Sequence, residues 1–199
     1  MESKIALAAE QYRKVREIVQ ELSDLAIETN SKFKFSIAMR QFDYILQISL
    51  IYAAISDDDF KPVELSFVRD ITEYGSVVGL FNSKMKDIEA GIPELTWENL
   101  EPLRKALSEK GREAFLKQMT DFVEEIANDF VKWFAPIDAK KTKINYLTRI
   151  SSLFDEIINI FTTCDGDESS DSTAEADAAK RIKRTILINK WKKAMEEAN

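Results

Sequence analysis

The sequence predicts an all-α protein, a compact bundle of seven to nine helices. Three observations carry that expectation. Only 5 Gly and 4 Pro interrupt 199 residues, too few for the many turns of a sandwich or barrel. Hydrophobic residues make up 45% and charged residues 32%, a globular rather than a disordered balance. Apolar residues recur at spacings of three and four along most of the chain. A chain of this length buries roughly 70% of the surface its unfolded form exposes, so its core needs no disulfide or metal. One helical domain over 1–199 fits.

Each element follows from its pattern. From Glu2 to Thr29 the residues Ile5, Ala8, Tyr12, Val15, Val19, Leu22 and Ala26 form a heptad seam. Ile18 and Leu25 widen it, which favours packing within the chain's own bundle over a dimeric coiled coil. From Ser36 to Ser56, Met39, Phe42, Ile45, Leu46, Ser49 and Tyr52 share a face. The acidic turn Asp57-Asp58-Asp59 follows, and Pro62 suits the first position of a helix ending near Gly75. A shorter helix is expected from Leu80 or Ser83 to Gly91, and another over Asn99–Lys110, with a break at Gly111. Phe115, Met119, Phe122, Val123, Ile126, Phe130 and Phe134 mark a helix expected to end before Pro136. Leu147, Ile150, Phe154, Ile157 and Phe161 mark one over Lys140–Thr163. After the acidic stretch Asp165–Asp171, Ser172 with Glu175 three residues later reads as a capping box opening the last helix.

The chain contains an expected internal repeat. Aligning Asp57 with Asp165 places Met39 on Leu147, Phe42 on Ile150, Ile45 on Leu153, Leu46 on Phe154 and Leu50 on Ile158. Beyond the turn, three extra residues in the second copy bring Glu64 onto Glu175 and Ile71 onto Ile182. The expected halves are 35–90 and 139–199, with 1–34 and 91–138 as additional packing helices.

Composition closes off several functions. Histidine is absent, which removes His-based triads, imidazole bases and His-ligated zinc. The single Cys164 precludes a disulfide framework and fits a reducing compartment, so a cytoplasmic location is expected. Beside acidic neighbours it reads as a small buried hydrophobe at a helix end. No secretory leader pattern opens the chain at Met1. The apolar stretch Ile45–Ile55 carries Gln47 and Ser49 and falls short of the roughly 20 residues a membrane span needs. A net charge of −7 disfavours nucleic acid as a partner. Lys180 to Lys193 holds seven basic residues and no acid; it reads as a solvated helix face opposite the acidic turns, the other reading being a membrane-surface or nucleic-acid stripe. Trp97, Trp133 and Trp191 read as core or partly buried packing residues. No phosphate-binding loop, dinucleotide motif or serine nucleophile elbow is present, so no enzyme is expected, and catalytic residues and an organic cofactor are assigned to none.

The first turn reads Tyr52-Ala53-Ala54-Ile55-Ser56-Asp57-Asp58-Asp59-Phe60-Lys61-Pro62-Val63-Glu64. It resembles the tellurite-resistance TerB-like family, which includes the N-terminal domain of a membrane-anchored DnaJ-type co-chaperone. That pattern is a small-residue helix end, Asp-Gly, an apolar residue, often Pro, and a Glu seven residues after the Asp. Asp57, Phe60, Pro62 and Glu64 take those places, while Asp58 stands where the family has Gly. The second turn, Cys164-Asp165-Gly166-Asp167, keeps Asp-Gly with a longer loop before Glu175. The resemblance is clear for about thirty residues around the first turn. It implies a compact all-α fold with two related halves and a role in divalent-cation binding or stress response.

The residues themselves offer matching chemistry. Calcium and magnesium want several oxygen ligands. Asp57, Asp58, Asp59 and Glu64 surround one corner; Asp165, Asp167 and Glu175, with Glu168 and Asp171, surround the other. Neither is an EF-hand, since Val68 or Ala176 falls where the bidentate Glu belongs. The same acids also serve as helix-capping and dipole-complementing groups. The expected function is therefore a non-enzymatic binding module whose acidic turns take a divalent cation or a basic partner. The alternative is a scaffolding protein that docks a protein partner, or a second copy, through the seam of its first helix.

Overall fold

A computed structural model of the chain describes residues 2–28, 34–56, 62–73, 112–140, 145–164 and 170–198. Among them every regular element is helical and there is no strand. The elements are α1 (Glu2–Ile27), α2 (Phe35–Ser56), α3 (Pro62–Asp70), α4 (Arg112–Lys140), α5 (Tyr146–Phe161) and α6. The last runs over 170–198 as an α-helix Ser170–Lys183, a π-helical turn Arg184–Ile188 and a final α-helix Asn189–Ala198. Six helices thus stand among the described residues. The helices expected between Leu80 and Gly91 and over Asn99–Lys110 lie outside them, as does Trp97.

The seam of α1 packs along α5, and α2 packs along α4 and α6. Tyr12, Val15, Val19 and Leu22 of α1 are buried, and Ile5 and Leu25 are partly covered. Lys4 Nζ donates to the carbonyl of Thr163 at one end of α5. At the other end Tyr146 Oη donates to Glu21 at 2.6 Å. The two helices therefore run antiparallel. The seam is used within the chain, so its residues do not form the surface through which a second copy would dock.

Phe42 of α2 sits at the middle of the core. Its ring centroid lies 6.5 Å from Tyr12, 6.2 Å from Phe130 and 5.8 Å, edge-on, from Phe154. One aromatic side chain thus joins α1, α4 and α5. Trp191 of α6 is fully buried and meets Phe130 and Phe134 of α4 at 5.9 and 6.4 Å. Trp133 is partly buried against the same core.

Four boundaries differ from the sequence reading. The helix carrying Phe130 and Phe134 does not stop before Pro136 but continues to Lys140. Proline there lacks the N–H that would bond the carbonyl of residue 132, at a cost of about 3 kcal/mol. The last turn is held from outside instead: Ala135 is buried, and Asp138 accepts hydrogen bonds from α5 and α6. The last helix opens at Ser170, so Ser172 lies inside it and Glu175 is not at its third position. α3 ends at Asp70, five residues short of Gly75. α5 begins at Tyr146, where Asn145 caps it by accepting from Thr148 N at 2.8 Å.

Candidate functional site

Of the residues expected to ligate a cation, Glu64 and Glu175 are described. Asp57, Asp58, Asp59, Asp165 and Asp167 lie outside the described residues. Glu64 occupies the third position of α3, directly after Pro62 and Val63. Glu175 lies in the second turn of α6. Both side chains are buried, at 3% and 7% exposure. Burial of a carboxylate is unusual, because losing water costs several kcal/mol unless polar partners replace it; both have such interactions. Among the described residues no three acids or thiols converge as a metal site.

Sequence reasoning missed three buried charged groups. Asp43 of α2 is fully buried and accepts a 2.7 Å hydrogen bond from Tyr12 Oη. The same Tyr12 oxygen accepts from the backbone N–H of Glu73 at 3.4 Å, and Glu73 pairs with Arg16 at 3.2 Å. Gln47, one turn along α2, donates to Thr72. The segment after α3 is thereby tied to α1 and α2 through polar groups. Burial, reinforced by the Asp43 carboxylate, pushes the Tyr12 hydroxyl far above its ordinary value and keeps it a hydrogen-bond donor.

Asp138 is the second. Its two oxygens accept from Tyr146 N at 2.9 Å, Leu147 N at 3.1 Å and Trp191 Nε1 at 3.2 Å. The first two donors are the opening N–H groups of α5, which have no partner inside their own helix. Together with Asn145 they complete that N-terminus, and a carboxylate there complements the helix dipole.

Lys183 is the third, and it corrects the reading of Lys180–Lys193 as a solvated face. Its side chain is buried, 2.7 Å from Asp155 and 3.0 Å from Ser151 Oγ, with Nζ 5.8 Å from the Phe154 ring centroid. Burial lowers its pKa, and Asp155 opposes that shift. The arrangement is a clamp between α5 and α6. Its signal was present in the sequence, since Ala179, Lys183 and Leu187 follow at i, i+4 along one face. Arg181 behaves as expected of the exposed face, reaching Tyr52 Oη of α2 at 3.3 Å.

Cys164 is buried just after α5, as expected of a small hydrophobe there. No described helix is long and apolar enough to cross a membrane. Comparison with known protein families, curated proteins and solved structures gives no match.

Proposed function

We propose that the chain is a non-enzymatic, TerB-like helical binding module whose two acidic inter-helix turns take divalent cations, calcium or magnesium, in a stress-response role. The observation that carries this reading is the burial of Glu64 and Glu175, the two glutamates the repeat alignment pairs, each in the helix that follows an acidic turn. Carboxylates that come close to one another repel, and a bound divalent ion relieves that repulsion; in sequence, Glu64 follows Asp57-Asp58-Asp59 and Glu175 follows Asp165-Gly166-Asp167.

The packing supports two related halves. α1 lies along α5 and α4 lies along α2, so each additional packing helix lies along the first helix of a half. α2 packs extensively on α6, whereas α3 reaches α5 through a single ring pair, Phe67 and Phe161, 5.3 Å apart. On this reading the two turns are equivalent corners of one pseudo-symmetric bundle.

The test is thermal unfolding with calcium or magnesium, in wild type and in an Asp57→Asn, Asp165→Asn double variant. A ligand at a hundred times its Kd adds about 2.7 kcal/mol to the folded state. For a domain of this size that raises Tm by about 5–10 °C. The rise is expected in wild type and absent in the variant. An equal shift in both, or one reproduced by sodium chloride at matched ionic strength, would overturn the proposal and return the acids to capping and solubility roles.

A further inference from the structure

α6 changes both its packing partners and its hydrogen-bond pattern part-way along. Its first stretch, Ser170–Lys183, packs on α2 and α5, and its last, Asn189–Ala198, packs on α4. The π-helical turn Arg184–Ile188 stands between them. The backbone on either side is regular, with φ −50° and ψ −45° at Lys183 and φ −64° and ψ −39° at Asn189. Single π-turns inside α-helices are rare and occur frequently at functional sites.

The two stretches are anchored separately. Lys183 pairs with Asp155 at 2.7 Å and donates to Ser151 Oγ at 3.0 Å, both on α5, and Ala179 and Ile182 are buried. In the last stretch the Trp191 ring meets Phe130 and Phe134, and its indole N–H donates to Asp138 at 3.2 Å. Lys190 reaches Glu124 and Asn128, each at 2.7 Å. All of these partners belong to α4. Trp191 is the buried residue of Asn189–Ala198, and six of the ten residues there are exposed. A segment with so few buried contacts lies at the low end of local stability.

Phase links the turn to the seat of Trp191. With α-helical geometry throughout, Trp191 would stand about 80° from the Lys183 face and miss its seat. The π-turn and the seated Trp191 therefore require each other. Leaving the seat lets the turn revert to the commoner α pattern, and the α pattern keeps Trp191 out.

We propose that Arg184–Ile188 is a two-register hinge and Asn189–Ala198 a strap, closed on α4 in the π register and lifted off as a unit in the α register. Lifting uncovers the sides of Phe130 and Phe134 that Trp191 meets, so the strap governs access to an aromatic surface. The first stretch of α6 stays in place, because its anchors on α2 and α5 are not those of the strap.

The test is hydrogen–deuterium exchange of the full chain, read by mass spectrometry over overlapping peptides. Amides of 189–198 should exchange as one block, on the order of tenfold or more faster than those of 176–183. Lys190→Ala, which removes contacts to α4 and no part of the hinge, should speed that block several-fold and leave α1, α2 and α5 unchanged. Deleting the exposed Asn189 leaves about two regular α-helical turns from Lys183 to Trp191. The strap then stays seated without a π-turn, and its exchange should slow towards that of 176–183. Simple fraying predicts protection that falls residue by residue towards Ala198, and no slowing on deletion. A graded profile, equal rates on the two sides of the turn in wild type, a global response to Lys190→Ala, or a deletion variant whose strap exchanges as fast as before would each overturn the proposal. So would a deletion variant that has lost its fold by far-UV circular dichroism, because a regular helix in this phase must fit the bundle if the extra residue serves the hinge.

Discussion

Removing the carboxylate of Asp138 should be among the most damaging single changes outside the aromatic core. The side chain is 3% exposed and accepts three hydrogen bonds from two other helices. Asp138→Ala leaves two buried backbone N–H groups and one indole N–H without that acceptor. Each unmatched buried donor costs about 1–3 kcal/mol, and a lost helix cap lies in the same range. Water entering the space left by the smaller side chain reduces the sum, so the expected loss is about 3–5 kcal/mol. Against a typical total stability of about 5–15 kcal/mol that is a large share. Asp138→Asn keeps the shape but turns an NH₂ group toward a donor, for a loss of about 1–3 kcal/mol.

The measurement is urea unfolding followed by far-UV circular dichroism. With a slope of about 2 kcal/mol per molar urea, Asp138→Ala should lower the midpoint on the order of 2 M. Trp191→Phe retains the ring packing on Phe130 and Phe134 but deletes the indole donor. A double-mutant cycle of Asp138→Asn with Trp191→Phe should therefore return a coupling of about 0.5–1.5 kcal/mol. An Asp138→Ala protein within about 1 kcal/mol of wild type would refute the argument. So would a cycle with no coupling, because it would mean the α4–α6 link through Asp138 carries no energy.

Phe42→Ala, which empties the contact shared by Tyr12, Phe130 and Phe154, should cost about 3–5 kcal/mol by the same assay, whereas Leu7→Ala on the exposed side of α1 should stay within about 0.5 kcal/mol. Burial, with the Glu21 hydrogen bond second, pushes the Tyr146 hydroxyl up to about 12. Its folded pKa lies above the unfolded value of 10.0, so the stability it contributes is present below pH 10 and is lost as pH rises toward 12; difference titration of wild type against Tyr146→Phe at the phenolate absorbance checks this, and ionisation near pH 10 would contradict it. Lys183 titrates with the opposite sign. Its folded pKa is lowered below 10.5, so as pH rises from that lowered value to 10.5 the unfolded chain binds more protons and this group's penalty on folding is relieved. Replacing Lys183 by Met should remove that alkaline gain, seen as a flatter stability–pH profile above neutrality, and an unchanged profile would show that another group is responsible.

The parts of the fold legible in the sequence are those where one periodicity runs unbroken. The α1 seam, the α2 face and the Leu147–Phe161 face bury the residues their spacing picks out, with Ile5 and Tyr52 only partly covered. Pro62 opens α3 as its chemistry directs. Pro136 misled because local preference is a weak term beside tertiary packing: Phe134, Ala135 and Asp138 each have buried contacts that keep the last turn of α4 helical. The buried charges were hidden for a related reason. Asp43 and Lys183 occupy core-facing phases of otherwise readable helices, but a charged residue in such a phase reads as a gap in the stripe until a partner is found on another helix. Asp138 was less accessible still, since its role is defined only by the ends of α5 and α6 that converge on it.

The π-helical turn explains why the C-terminal helix was the hardest to read. Lys183 and Trp191 are both buried yet stand eight residues apart. In a regular α-helix two turns take about seven residues, so an eight-residue step would put Trp191 about 80° away from the face of Lys183. The wider turn at Arg184–Ile188 absorbs one residue and brings the two back into line. The exposed side is realigned by the same step: Arg184 and Lys192, also eight apart, come onto a common face. A strict 3.6-residue template loses phase at this point, and the basic segment then looks like a uniform solvated surface. With the extra residue counted, it divides into an inward lysine that clamps α6 to α5 and the exposed cations Arg184, Lys192 and Lys193. The turn thus allows one short basic segment to place a lysine in the core and cations on the surface at once.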